Sequence, residues 1–406
     1  MMDSLVLDGR ETVVIAIFAV YLGRFVNARV AFLRTYQIPD SVTGGIVASI
    51  LFGLIYGTTG VEFDFNTAVR DVFLLIFFAC IGLSTALATV LAGGRQIVVL
   101  GVIAVVFMFL QNGMGVLLAS LLGQDSLMGV VGGTVSMAGG PGTAVAWGQV
   151  LQNDYGIDSA INIGTAFATI GMVIGGILGG PLAARLIKRH QLQSQADVDS
   201  VPALGLGAGE QQAEINYDSM LRTILIIFVA VGMGLVLDKL LKSVNFQLPE
   251  FAACMITGMF LINVGPKILP MVDWPLPNKS KSLSLMSELS VSLVLVMSLM
   301  PMKWSVLMGA GPVMLLMLVA QSVLVVLFAM WVVFRAMGAN YDGAVIASGY
   351  VGVFLGVTST GMANVSAVTQ NHGASPKAIL IIPLLGAFLV ELLNPVVVQL
   401  FLGWFG

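Results

Sequence analysis

Charge is what this sequence has least of. Only 10% of its 406 residues are Asp, Glu, Lys or Arg, against roughly 25% in soluble domains, so the chain cannot cover a water-facing surface. With 58% hydrophobic residues and a mean hydropathy of +0.98, it must be solvated by lipid. A net charge of −3 provides no basic field for nucleic acid. Histidine is nearly missing. His190 falls in a polar stretch and His372 beyond an apolar one, and neither has partners for catalysis or for a transition metal. Cysteine is confined to Cys80 and Cys254, each inside an apolar run, which reads as packing and excludes a disulfide framework. The start of the chain lacks a basic stretch ahead of its first apolar run, so the first helix is expected to be retained. No nucleophile and base stand at a recognisable spacing, and a membrane enzyme is not expected.

What the chain does have is apolar runs close to the roughly 20 residues that cross a bilayer. They cover 12–31, 42–56, 72–91, 97–122 and 159–187, then 220–240, 250–264, 282–302, 313–334 and 376–405. Between the two sets lies a polar linker, 190–218, rich in Gln, Ser, Asp and Gly. The fold expected is an all-α polytopic membrane protein of ten transmembrane helices. Two further apolar stretches, 127–152 and 343–370, break at their centres. The first carries Ala138-Gly139-Gly140-Pro141-Gly142-Thr143, and the second runs from Gly356 through Thr358, Ser359, Thr360 and Gly361 to Asn364. Glycine, proline and hydroxyl residues interrupt helices, and irregular backbone at membrane depth survives only against protein or a watery cavity. Both stretches read as re-entrant hairpins, with kinked through-helices as the alternative.

With hairpins that return to their own side, 13 basic residues, Arg24, Arg29, Arg34, Arg185, Lys188 and Arg189 among them, face the cytoplasm. Five face outward: Arg10, Arg70, Lys239, Lys242 and Lys303. This positive-inside bias places both termini outside and the linker inside; Lys239 and Lys242 stand out as misfits. The halves also share an order. Gln37-Ile38-Pro39-Asp40 opens the second helix and Gln247-Leu248-Pro249-Glu250 the seventh; Gln152-Asn153 closes one hairpin and Gln370-Asn371 the other. An odd number of crossings per half inverts the second copy, giving repeats at 1–189 and 219–406. Inverted repeats with discontinuous helices at the midplane belong to secondary transporters. A channel would ordinarily place its filter on a symmetry axis between subunits.

Each break is followed by a short helical arm, near Thr143 and near Thr360, whose start exposes unpaired N–H groups and a partial positive charge. Two such ends meeting near the midplane can hold two carboxylates without a buried arginine, which points to a small acidic solute. Gly139, Gly140 and Gly142 would let backbone approach that ligand; tight helix packing is the alternative, and the pairing of two such tips favours the functional reading. The substrate set is completed by Thr143, Ser359, Thr360, Asn364 and Asn112. A hard cation takes oxygen ligands, available from Thr358, Asn364, Glu391 and Asn394. A mid-span carboxylate such as Glu391 is costly unless paired, and a structural hydrogen bond is its simpler role. Arg24 is expected to snorkel to the headgroups, while Glu288 and Asp238 sit near span ends. Gly45, Ser49, Gly53 and Gly57 form a small-residue stripe suited to the scaffold or to a subunit interface.

The two tips, Asn340-Tyr341-Asp342, Gln111-Asn112, the stretch 36–45 and Glu391 with Asn394 together resemble the bacterial sodium/glutamate symporters, over nearly the whole chain. The resemblance implies a homodimer of ten-helix protomers with two re-entrant segments in the bacterial inner membrane. Such a protein would take up L-glutamate with sodium ions by alternating access, in an elevator-like manner. Family members often place His between the glycine pairs, where this chain has Pro141. The nearest alternative cargo is another small acidic solute, such as a di- or hydroxycarboxylate.

Overall fold

The structure, a computed structural model, describes residues 4–35, 38–85, 94–157, 159–194, 216–243, 248–268, 281–302 and 304–406. Most of the linker, Tyr36, Gln37, Gln247 and Lys303 lie outside the described residues. All ten expected helices are present: Gly9–Arg29, Asp40–Thr59, Ala68–Ser84, Gly94–Leu121, Ala160–His190, Tyr217–Ser243, Glu250–Ile268, Lys281–Leu299, Trp304–Phe328 with its continuation to Ala336, and Pro376–Phe405. Eight are long and apolar enough to cross a bilayer; Ala68–Ser84 and Glu250–Ile268 are the shorter pair. A multi-pass membrane protein follows.

The helices begin where local chemistry dictates. Asp8 accepts from the N–H groups of Arg10 (2.8 Å) and Glu11 (2.9 Å), and the Glu11 carboxylate accepts from the Asp8 N–H at 2.9 Å. This is a reciprocal capping box. Asn216 and Ser219 repeat it at the start of Tyr217–Ser243, where the Asn216 side chain accepts from the Ser219 N–H at 2.8 Å and the Ser219 hydroxyl accepts in return at 3.3 Å. Further on, Arg24 meets Asp40 (3.2 Å) and Lys242 approaches Glu250 (4.0 Å) and Asp238 (2.8 Å). In both halves the acid follows the helix-opening proline, Pro39 or Pro249. Lys242, an outlier by the charge rule, is therefore the second half's counterpart of Arg24. Arg24 is exposed, paired and stacked over Tyr21 (5.7 Å), in agreement with a surface role.

The chain divides into two compact units that cut across the sequence halves. One comprises Met1–Phe25, Pro39–Thr89 and Leu206–Met302; the other Val26–Ile38, Val90–Gly205 and Lys303–Gly406. Each unit thus takes three consecutive helical elements from each half.

Glycines set the close crossings in the first unit. A Cβ on Gly82 would collide with the Met255 carbonyl, and one on Gly258 would lie 2.7 Å from the Ala79 carbonyl oxygen. Gly45 of the small-residue stripe packs on Leu299, and Ser49 is buried. Gly53 is exposed, and Gly57 has open space around it. Cys80 and Cys254 are free and fully buried in one apolar cluster with Ile227 and Leu83, as packing residues should be. One element was not anticipated: strands Ser4–Leu7 and Glu62–Phe65 pair in parallel, with Phe63 and Phe65 packed on Phe52. Runs of four residues are too short for an alternation signal to be read.

In the second unit the long helix Ala160–His190 supplies a glycine groove. Gly164 lies against Ser136, Val131 and Ala144; Gly171 against Met137 and Leu355; Gly175 against Leu355; Gly179 against Asn364. One helix thereby seats both broken segments.

Candidate functional site

The second broken segment consists of two helices of 15 residues each, Tyr341–Leu355 and Thr358–His372, joined at Gly356 and Val357. Its arms run antiparallel in contact. A Cβ on Gly352 would lie 2.7 Å from Gly361, one on Gly349 would lie 2.9 Å from Val365, and the Asn364 amide donates to the Ser348 carbonyl (3.3 Å). At the open end the Tyr341 hydroxyl donates to the Gly373 carbonyl, and Asp342 accepts from Ser375 (2.7 Å) while facing Lys377 (3.3 Å). Asn340 caps the first arm by accepting from the Gly343 N–H at 2.9 Å. These residues form a helical hairpin closed at its base.

The first broken segment is less regular. Ser126–Val130 is capped by Asp125, which accepts from the Leu127 N–H at 2.8 Å. It widens into a π-type turn over Val131–Val135, where Gly133 leaves the helical region (φ −95°, ψ −134°). The chain restarts as Gly140–Asp154, with Pro141 in the first turn. Proline suits that position, because its missing N–H would have no helical partner there. Val131 and Ala144 both lie 3.4 Å from the Cβ position of Gly164. The two arms therefore fold back beside one another; a continuous helix would carry these residues roughly 19 Å apart at 1.5 Å per residue.

The two breaks abut. Gly140 has φ +73°, and a Cβ there would collide with the Val357 side chain, with the Gly356 carbonyl oxygen 3.5 Å away. The room at Gly140 is thus taken by the opposite tip, and that at Gly139 by the Thr143 side chain, so both glycines serve tip packing. The second arms start at Gly140 and Thr358, two or three residues earlier than expected, and neither start carries a side-chain cap.

The polar residues expected at the site divide by role. Thr143 is buried beside the Glu391 carboxylate. Asn394, one helical turn further, donates to the Thr134 carbonyl (3.1 Å), and Asn112 accepts from the Thr134 N–H (2.8 Å). Gly386 packs against Thr358, so the helical run Pro376–Phe405 reaches both tips. Thr360 is buried with a hydroxyl that has no protein partner, lying over Gly356. Asn364 donates to the Gly175 carbonyl (3.0 Å) as well as to Ser348, which ties its amide nitrogen to packing. Gly142 is buried in the first turn of its arm, and Ser359 is exposed. Sequence reasoning passed over Thr134 and Gln321. Gln321 is fully buried and donates to the Gln111 carbonyl at 2.8 Å. The signal for both was a polar side chain inside an apolar run. Of the remaining candidates, Glu288 is exposed and Asp238 is buried against Lys242.

The sodium/glutamate symporter family matches residues 5–374. Similar proteins include the sodium/glutamate symporters of Escherichia coli K12 and Shigella flexneri, each 35% identical over 98% of both chains. That of Haemophilus influenzae is 32% identical over 95% of this chain and 94% of its own length. Taken with the paired broken helices, these matches place the chain in the sodium/glutamate symporter family.

Proposed function

We propose that this protein is a secondary transporter that takes up glutamate together with sodium by alternating access, its cargo held where the two breaks meet. The observation that carries this reading is the contact between Gly140 and Val357, which brings two uncapped helix starts together, the first buried and the second partly exposed at Thr358 and Ser359. Each start offers free N–H groups and partial positive charge to one carboxylate of a dicarboxylic amino acid. Thr143 and Thr360 flank those starts. Glu391 and Asn394 supply oxygens for a sodium ion or for the substrate ammonium, with Thr358 and Asn364 on the opposite tip. Sodium acts here as co-transported cargo.

Arms of 15 residues reach about 22 Å at 1.5 Å per residue, short of a hydrocarbon core of roughly 30 Å. Both segments are accordingly read as re-entrant within a ten-helix inverted repeat. Because both breaks and the side chains that grip them belong to one compact unit, the alternation is read as elevator-like, that unit moving its cargo as a body. The same reading makes the protein a homodimer of the bacterial inner membrane with both termini outside, which the positive-inside bias and the family resemblance support.

The test is uptake into proteoliposomes under an inward sodium gradient with competing solutes. Unlabelled glutamate should suppress labelled glutamate uptake at far lower concentration than malate or citrate. Efficient sodium-driven uptake of a hydroxycarboxylate with none of glutamate would assign the cargo to the other acidic solutes.

A further inference from the structure

Adjacent residues on one helix hold the two breaks. Gln111 and Asn112 sit fully buried on Gly94–Leu121. Asn112 accepts from the Thr134 N–H (2.8 Å), one turn ahead of the first break; Gln111 donates to the Phe354 carbonyl (3.0 Å), two residues ahead of Gly356 in the second. Both amide orientations are fixed by the backbone, since an N–H demands an acceptor and a carbonyl demands a donor. Gln321 braces the pair by donating to the Gln111 carbonyl at 2.8 Å. Gly133 leaves room for this arrangement, as a Cβ there would collide with the Asn112 amide oxygen.

We propose that Gln111 and Asn112 act as a positioning yoke: the dipeptide fixes the two tips in register, so that ordering of one break by an ion or substrate is transmitted to the other. Each bond is to backbone next to a break, where the helical ladder no longer supplies all partners. The bonds come from neighbouring residues of one rigid helix, so neither tip can shift without displacing the yoke. Coupling of this kind needs a defined element that both sites bias. Here that element is the pair of tips joined at Gly140 and Val357 and held from behind by the yoke. The roles are chemically distinct. Position 112 must offer an acceptor, which aspartate retains in either protonation state; position 111 must offer a donor, which methionine lacks at similar length.

The test is backbone hydrogen exchange of the purified, cargo-free protein, followed by mass spectrometry of peptides covering 131–140 and 352–360. Asn112→Leu should raise exchange in both peptides by at least about tenfold, the factor expected for one lost buried hydrogen bond. Gln111→Met should do the same, and Asn112→Asp should restore both peptides towards the wild-type rate. Faster exchange only at 131–140 in Asn112→Leu and only at 352–360 in Gln111→Met would show two local contacts and overturn the yoke. Equal damage from Asn112→Asp and Asn112→Leu would also overturn it. Should Asn112→Leu fail to assemble, Gln111→Met makes the same comparison from the other tip. The transport consequence rests on the sodium/glutamate reading: the sodium dependence of glutamate affinity should flatten in Asn112→Leu and Gln111→Met. Because the exchange experiment contains no glutamate, a failure of that reading would be seen separately, in wild-type uptake.

Discussion

At the scale of single residues the site is governed by where a side chain is missing and where a hydroxyl is unused. Gly140 combines a positive φ with a space that the Val357 side chain fills. Gly140→Ala is therefore expected to push the tips apart and to abolish measurable glutamate binding by purified protein. Binding of wild-type strength would mean that tip contact is not needed for the cargo site. Thr360 is the converse case. Its buried hydroxyl has no protein partner, so Thr360→Ala removes no bond from the fold. The variant should keep its thermal midpoint but lose about 1–2 kcal/mol of glutamate affinity by titration calorimetry, the value of a hydrogen bond to a charged ligand. A lowered midpoint with unchanged affinity would assign the hydroxyl to packing.

At the scale of elements, the breaks depend on how each arm starts. Asp125 and Asn340 occupy corresponding places, each capping the first arm of its broken segment. Asp125→Ala and Asn340→Ala should each lower stability by about 1 kcal/mol, the usual worth of an N-cap, read as a depressed thermal midpoint in detergent. An unchanged midpoint in both would show that the arms are held by packing alone. The elements were largely legible in the sequence, because ten apolar runs and two glycine-centred breaks have few other physical solutions. The partners of the polar residues were not. Asn112 was expected to touch substrate, yet its amide oxygen is committed to Thr134. Asn364 was expected to offer itself to cation and substrate, yet its amide nitrogen binds two carbonyls. Which buried amide faces backbone depends on contacts 16 or more positions apart, such as Asn394 with Thr134, and helical periodicity carries no record of them.

At the scale of the whole molecule, the two halves repeat their capping boxes, their acid–base pairs and their capped broken segments in one order. The proposed inverted repeat, with both hairpins re-entrant and the N-terminus outside, puts the segment that joins the halves in the cytoplasm. Ser194 donates to the Ala374 carbonyl and is half-buried, so the exposed Asp218 is the better probe. In a background with Cys80 and Cys254 replaced, Asp218→Cys should react with an impermeant maleimide only after the membrane is opened. Reaction in intact cells would overturn the crossing number.

Acidic cargo and sodium are proposed to share the region where the two breaks meet. Titration calorimetry of purified wild-type protein with glutamate, in sodium chloride and in choline chloride at one fixed pH, tests it most directly. Saturable heat is expected in sodium and none in choline, with the sodium-dependent heat also lost in Gly140→Ala. Equal glutamate binding in choline would contradict it.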